Sequence, residues 1–383
     1  MVRVLLTGGG TGGHVYPALT IGEGLRAHDP TCQLLYVGTE TGLEAELAPR
    51  AGIPFAALRA QGLAGKSWPE KARGVAITAW GCLQAQSLLR RFRPHVVVGT
   101  GGYVSGPVLA AALWQRVPFV LQEQNAFPGA TNRLLARYAR YVFLPFETAR
   151  HAFPPGVRTV MTGNPVRSVI LTEERATAAQ ALGIDPQKDT ILILGGSLGA
   201  GSIVTAALQA LPLLRDSAAQ FILITGRGYF QQAKESLGID YVISGNNGAR
   251  PGDGEMLKSG NAVVCPYLHQ MEKALAAADL VVCRAGGMTL AEVTARGLPA
   301  IIIPSPNVAN DHQRHNALAV AGAGGAIILE DRQLHGALLA DTLRRLLADP
   351  ERREKMAGAS RSVGRPQALR KIVALTLRAA RRL

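Results

Sequence analysis

His14 closes a glycine run, Gly8-Gly9-Gly10-Thr11-Gly12-Gly13, that follows an apolar stretch at residues 2–7. A strand that enters such a turn and leaves as a helix brings backbone N–H groups and the helix dipole onto an anion, so the run suits a phosphate. An imidazole at the mouth of that turn can accept a proton near neutral pH, which makes His14 the leading candidate for a general base. Two further loops repeat the pattern. Thr100-Gly101-Gly102-Tyr103-Val104-Ser105-Gly106-Pro107 follows the apolar run 95–98, and Gly195-Gly196-Ser197-Leu198-Gly199 follows the run 190–194. Together they imply two phosphate-bearing ligands, or one held across two domains.

Other side chains suit a nucleotide sugar. Glu292 lies on the helical stretch after Arg284-Ala285-Gly286-Gly287-Met288-Thr289, where a carboxylate could accept from both hydroxyls of a ribose or simply face solvent. His312 and Gln313 offer imidazole and amide groups to sugar hydroxyls, or mark the start of a helix. Gly8-x-Gly10-x-x-Gly13 also fits a dinucleotide turn, so an NAD-dependent oxidoreductase is the alternative. That reading lacks its acidic residue at the end of the second strand, because Glu40 comes too late. A P-loop fails at Gly62-Leu63-Ala64-Gly65-Lys66-Ser67, since the glycine needed at position 60 is Ala60. With no Asp-x-Asp and no paired cysteine spacing among Cys32, Cys82, Cys265 and Cys283, neither a metal nor another cofactor is expected. The four thiols read as buried core residues in a reducing compartment.

The elements that must position these groups are α/β in pattern. Apolar runs at residues 2–7, 33–37, 55–58, 95–98, 119–121 and 141–144 alternate with helical stretches at 18–28, 44–50, 71–93, 108–115 and 132–137. The order then restarts, with runs at 190–194, 221–225, 262–264, 280–283 and 300–304 and helices near 202–214, 272–277, 289–296 and 316–321. Alternation of this kind predicts parallel sheets covered on both faces, here as two doubly wound domains in tandem. Thr162-Gly163-Asn164-Pro165-Val166-Arg167 carries turn-forming residues and is the expected linker.

The chain has 383 residues and a formal charge of +14. Residues 1–170 hold 17 basic and 8 acidic residues, 171–340 hold 12 and 15, and 341–383 hold 12 and 4. Such a surplus calls for an anionic partner. No zinc-finger, RRM or KH pattern supports nucleic acid. In the basic tail, Leu369, Ile372, Val373, Ala380 and Leu383 share one helical face, so the tail is expected to pack on protein. Trp68, Ile77, Trp80 and Leu83, set among Lys66, Lys71, Arg73, Arg90, Arg91 and Arg93, could form a membrane-contacting patch. Their helical spacing by itself favours a core-facing stripe.

Seven blocks then fall in order between residue 8 and about 318: GGGTGGHVYPAL, GTGGYVSGP, QEQN followed by PGATN, GNPVR, GGSLGA, CRAGGMTLAE and NDHQRHNAL. They resemble the bacterial cell-wall glycosyltransferases that make lipid II. The resemblance implies the GT-B architecture, two doubly wound Rossmann-like domains facing across a cleft. Residues 1–162 would form the acceptor and membrane-facing domain, joined by a returning C-terminal helix at about 363–383, and residues 163–362 the donor domain. It further implies an inverting, metal-independent transfer of N-acetylglucosamine from UDP-N-acetylglucosamine to the C4 hydroxyl of lipid I, an undecaprenyl-pyrophosphoryl-N-acetylmuramoyl-pentapeptide. Such an enzyme would sit peripherally on the cytoplasmic face of the cell membrane, against an anionic inner leaflet, with no nucleic acid as partner. The donor contacts it implies are Thr11, Gly12, Gly13, Asn125, Arg167, Ser197, Leu268, Gly287, Met288, Thr289, Leu290, Ala291, Glu292 and Gln313. Glu292 would hold the ribose diol and Gln313 the sugar, while Gly10, Gly102, Tyr103 and Ser105 would cradle the acceptor diphosphate. Glu123 or water could share the base role of His14. Four positions depart from the family pattern: Gln122 for a frequent His, Leu198 for Gln, Ala285 for Ser, and His312 for the first Gln of a pair.

Overall fold

The computed structural model describes residues 1–62, 67–195, 200–238, 241–244 and 255–381. They divide into two compact units, Met1–Arg167 with Gln367–Leu383, and Ser168–Pro366.

In the first unit, strands β1 (Arg3–Thr7), β2 (Gln33–Gly38), β3 (Phe55–Ala57), β4 (Val96–Gly99), β5 (Phe119–Gln122), β6 (Tyr141–Leu144) and β7 (Thr159–Met161) alternate with helices α1 (Gly12–His28), α2 (Leu43–Arg50), α3 (Trp68–Phe92), α4 (Ser105–Trp114) and α5 (Ala130–Leu135). The strands form one sheet in the order β3-β2-β1-β4-β5-β6-β7. Every pairing in it is parallel. Alternate residues of a strand point to opposite faces. Leu6 and Val98 accordingly join the cluster under α1, while Leu5 and Val97 join the one under α4. That double burial is why these strands read as unbroken apolar runs.

The second unit contains α6 (Ser168–Thr172), α7 (Arg175–Leu182), β8 (Thr190–Leu194), α8 (Gly201–Leu213), β9 (Gln220–Ile224), α9 (Arg227–Ser236), β10 (Tyr241–Ser244), β11 (Glu255–Ser259), β12 (Ala262–Cys265), α10 (Met271–Ala277), β13 (Leu280–Cys283), α11 (Gly287–Arg296), β14 (Ala300–Ile302), α12 (His312–Ala321), β15 (Ala326–Ile328), α13 (Gly336–Leu347) and α14 (Pro350–Val363). Its sheet runs β10-β11-β12-β9-β8-β13-β14-β15. The β10–β11 and β11–β12 pairs are antiparallel and the others parallel. A last helix, α15 (Ala368–Ala380), belongs to the first unit, where Ile372, Val373, Leu377 and Ala380 enter the α1-side core. Leu369 lies against Gly24 of α1.

Several expectations shift. The segment 162–167 is not a free linker: Thr162, Asn164 and Val166 are buried within the first unit. The first unit therefore ends at Arg167 rather than residue 162, and the second at Pro366 rather than residue 362. The tail helix begins at Ala368, after a break at Gly364, and not near 363. Leu383 lies outside the described residues. With these limits the charge also divides differently: the first unit holds 22 basic and 8 acidic residues, the second 19 of each. The whole surplus of +14 belongs to the first unit. Cys32, Cys265 and Cys283 are buried, and burial pushes the last two thiols up to about 12, whereas Cys82 is only half-buried.

Candidate active site

In the first sheet chain order runs outward in both directions from β1 and β4, and in the second β8–β9 and β13–β14–β15 run outward from β8 and β13, so each sheet has a switch point at that pair. Loops leaving the carboxyl ends of such neighbours diverge to opposite faces and open a crevice. The glycine-rich segments sit at these points. Residues 8–11 follow β1 and 100–104 follow β4; residues 284–286 follow β13. Each leads into a helix whose first N–H groups have no partner within the helix. Gly195 is described, but Gly196, Ser197, Leu198 and Gly199 lie outside the described residues, as does Lys66.

The two loops of the first unit are braced against each other. Thr100 Oγ1 donates to the His14 carbonyl at 2.6 Å and reaches the Thr7 carbonyl at 3.3 Å. Gly9 N–H donates to the Gly101 carbonyl at 3.4 Å. Gly102 has φ +78°, and a side chain there would collide with the Gly9 carbonyl oxygen. Only glycine allows that approach. A methyl group on Gly101 would sit 3.3 Å from His14 Nε2, so the imidazole lies along the second loop. Thr11 Oγ1 is 3.2 Å from His14 Nδ1. Tyr103 covers Gly10, whose added methyl would approach the phenol ring to 2.9 Å. His14, Thr11, Gly10, Gly102 and Tyr103 are thus brought together. Ser105 is buried and its hydroxyl donates to the Gly102 carbonyl at 2.9 Å, so its side chain shapes the loop from behind. Thr100 has no role of its own in the sequence reading of the second loop; its place directly before Gly101-Gly102 is the signal.

Glu123 has a different place from the one a base would need. It is fully buried, and its two oxygens accept from the N–H groups of Gln124 (2.9 Å), Asn125 (3.0 Å) and Gly129 (3.1 Å) and from Asn132 Nδ2 (2.9 Å). Burial nevertheless dominates and raises its carboxyl above the ordinary 4.5, against the lowering by those hydrogen bonds. The carboxylate organises residues 124–132, including Asn125, and does not open to the loops. Gln122 Nε2 donates to Asn164 Oδ1 at 3.0 Å, tying the 162–167 segment to the same strand end. Arg167 is half-buried near Glu23; burial raises the Glu23 carboxyl more than the guanidinium lowers it.

In the second unit, Gly287, Met288, Thr289, Leu290, Ala291 and Glu292 form the first turns of α11. Leu290 is buried in the core and its N–H donates to the Gly286 carbonyl, so neither its side chain nor that N–H faces a ligand. Gln313 Oε1 accepts from Ser305 N–H at 2.9 Å, which orients the carboxamide on the first turn of α12. Leu268, half-buried, follows β12. Among the described residues no three His, Cys, Asp or Glu side chains gather as a metal ion would require.

The acidic group near the end of β2 is Glu44, fully buried, with Oε1 accepting from Thr39 N–H and Oγ1 at 3.0 and 2.9 Å. It cannot grip a ribose, and Glu40 is exposed beyond the strand. The oxidoreductase alternative therefore lacks its anchor. Ser67 is no phosphate ligand either: it forms a capping box with Glu70 at the start of α3.

The core-facing expectation for α3 is overturned. The helix buries Gly74, Gly81, Ala85 and Leu89. A side chain at Gly81 would strike the Arg59 carbonyl, so small residues let the helix pack closely and the large ones turn outward. Trp68 is 84% exposed, Trp80 54% and Leu83 56%, while Ile77 is half-buried. Sequence reading missed Trp114, 77% exposed at the end of α4. Gln115 beside it donates to the Gln86 carbonyl of α3 at 2.9 Å. A groove of about 370 Å³ adjoins this end of α4, lined by Leu113, Tyr138 and the guanidinium-bearing Arg116, Arg137, Arg140 and Arg158. Among the described residues no helix is long and apolar enough to cross a membrane.

Two Rossmann-like units in one chain, with glycine-rich helix starts at the switch points, define the GT-B class of fold. Residues 4–144 match the glycosyltransferase family 28 N-terminal domain and residues 190–372 its C-terminal domain. A UDP-N-acetylglucosamine–N-acetylmuramyl-(pentapeptide) pyrophosphoryl-undecaprenol N-acetylglucosamine transferase of Symbiobacterium thermophilum is 45% identical, covering 97% of this chain and 94% of that one. A protein of the same name from Moorella thermoacetica is 45% identical over 98% of this chain and 99% of its own. The crystal structure of Acinetobacter baumannii MurG superposes with a TM-score of 0.74 at 28% identity, covering 99% of this chain and 100% of that one. The chain belongs to glycosyltransferase family 28.

Proposed function

We propose that this protein transfers N-acetylglucosamine from UDP-N-acetylglucosamine to the C4 hydroxyl of the N-acetylmuramoyl-pentapeptide of lipid I, releasing UDP and forming lipid II. The reading rests above all on the full-length similarity to proteins named for that transfer, with the shared glycine-rich blocks at both switch points.

The acceptor hydroxyl attacks the anomeric carbon as the bond to the diphosphate breaks, with inversion and without a metal. His14 takes the hydroxyl proton. In the tautomer whose Nδ1–H is donated to Thr11 Oγ1, Nε2 is the basic nitrogen, and Thr100 fixes the backbone that carries the ring. Gly10, Gly102 and Tyr103 receive the acceptor diphosphate, with Ser105 shaping their loop. The start of α11, with Gly287, Met288 and Thr289, and Ser197 in the third glycine loop meet the donor diphosphate. Glu292 takes the ribose hydroxyls, Gln313 donates its NH2 to the sugar, and Leu268 and Ala291 line the nucleotide. Thr11, Gly12, Gly13, Asn125 and Arg167, also assigned to the donor, lie on the first unit. Leu290 has a packing role.

The enzyme works peripherally on the cytoplasmic face of the membrane. Trp68, Trp80, Leu83 and Trp114 enter the headgroup region and the surplus charge of the same unit meets anionic lipid. Ile77, half-buried, backs this patch.

The test supplies UDP-N-acetylglucosamine and lipid I together and separately. UDP release and the new disaccharide should appear only with both. No acceptor-dependent product, under conditions where the donor binds, would defeat the reading.

A further inference from the structure

Arg284 is the last residue before the Ala285-Gly286-Gly287 turn, and nothing in the proposed transfer uses it. Its side chain reaches three other segments at the same end of the second sheet. Nη1 donates to Asp331 Oδ1 at 2.5 Å and to the carbonyls of Ile303 and Pro304 at 3.1 and 3.3 Å. Nη2 donates to Ser202 Oγ at 2.8 Å, and that hydroxyl donates to the same Asp331 oxygen at 2.5 Å. Ser202 lies on the first turn of α8, Ile303 and Pro304 follow β14, and Asp331 follows β15. One guanidinium therefore ties together the segments that leave four of the eight strands.

The tie extends to the sugar-binding amide. Pro304 precedes Ser305, whose N–H donates to Gln313 Oε1, so fixing the Pro304 carbonyl fixes the peptide that turns the Gln313 carboxamide. With its oxygen held on the backbone, Gln313 presents NH2 as its donor. Asn316, one turn further along α12, donates to the Ala285 carbonyl at 3.0 Å and clamps the turn next to Arg284. A planar fork can serve acceptors on separate segments at once, whereas an ammonium is a single point charge on a flexible stem. The Arg284 side chain is 18% exposed and its carboxylate partner 21%, so water competes weakly for these bonds.

We infer that Arg284 is a positioning residue for the nucleotide sugar, acting through the 303–305 segment on Gln313 and through Ser202 on the start of α8. The inference rests on the donor assignment proposed above. It does not require Arg284 to touch the ligand.

Calorimetric titration of the full chain with UDP-N-acetylglucosamine tests it, because stoichiometry reports the folded fraction separately from the dissociation constant. Arg284→Lys should weaken binding about tenfold or more. The losses in Arg284→Lys and Gln313→Ala should fail to multiply, the double variant binding within about twofold of the weaker single one, as coupled residues do. Binding by Arg284→Lys within twofold of the parent would overturn the inference, as would losses that multiply. A merely structural role would lower stoichiometry and leave the dissociation constant alone, and would overturn it too. If Arg284→Lys does not fold, Ser202→Ala carries the test: about threefold weaker binding supports the tie, and unchanged binding refutes it. A parent that binds UDP-N-acetylglucosamine yet transfers nothing would fail the transferase reading without touching this result. A parent that binds none would overturn both.

Discussion

The two units solve the same geometric problem with opposite electrostatics. Each has a sheet whose central strands are parallel and sends glycine-rich turns into helix starts at the switch point between β1 and β4 or between β8 and β13. The first carries the whole +14, the second is neutral. Their bracing differs as well. Around His14 the ties are hydroxyls and backbone groups, with Thr100 and Ser105, while the buried carboxylate of Glu123 braces the neighbouring segment 124–132. Beside Gln313 the tie is a cation, Arg284. Helix starts already supply partial positive charge to a diphosphate, so extra charge is not needed to build such a site. The excess on the first unit is what the proposed contact with an anionic membrane surface would use. The outward tryptophans Trp68, Trp80 and Trp114 belong to that same unit.

The sharpest way to break this division of labour is at His14. If the first unit supplies the base, His14→Ala should cut turnover by about 10²–10⁴-fold while calorimetry still finds the donor bound. Near-normal turnover would remove His14 from the chemistry and leave the first unit with a binding role alone. The charge asymmetry is tested next. Trp80→Asp removes an exposed aromatic and sets a negative charge against anionic lipid; each effect is worth on the order of 1 kcal/mol, so partition onto phosphatidylglycerol vesicles should fall about 30-fold. Partition should also weaken as salt rises, because exposed charges are screened. Unchanged partition would return α3 to a purely structural role.

How far these features could be read from sequence depends on which interactions specify them. The strands β6, β8 and β13 match their apolar runs end for end, because burial on both faces leaves no charged residue to blur the edges. Strands at and near the sheet edges are different. The edge strand β7 is half-buried throughout, and Glu255 and Lys258 interrupt β11, next to the edge strand β10, so neither presents a run that stands out. The amphipathic helix α13, with Leu339, Leu343 and Leu346 buried, had a legible spacing that was passed over. Outward placement of Trp80 was not legible at all. It depends on Gly81 meeting the Arg59 carbonyl, a contact between segments distant in sequence. The site was legible as motifs, because glycine turns are local. The ties that hold it, Thr100 to the His14 carbonyl and Arg284 to Asp331, span 86 and 47 residues and are set by topology.

The smallest effect concerns the contrast between the two braces. Glu123 sits in its cage with a raised carboxyl, so in the folded state it binds its proton more tightly than in the unfolded chain. Its titration therefore adds stability that is fully present below the ordinary value of 4.5 and is lost as pH rises through the higher folded value. Glu123→Gln has no proton to exchange. The unfolding free energy of the parent, measured against Glu123→Gln, should decline by about 1 kcal/mol per unit of raised pKa as pH climbs through that window, and then level off. The two variants must be compared by slope rather than by absolute stability, because Gln can accept at only one of the two oxygens and leaves Asn132 or the backbone donors poorly served. A difference that stays flat from pH 4 to 7 would mean that the four hydrogen bonds cancel the burial cost. A difference that grows with pH would mean that they exceed it.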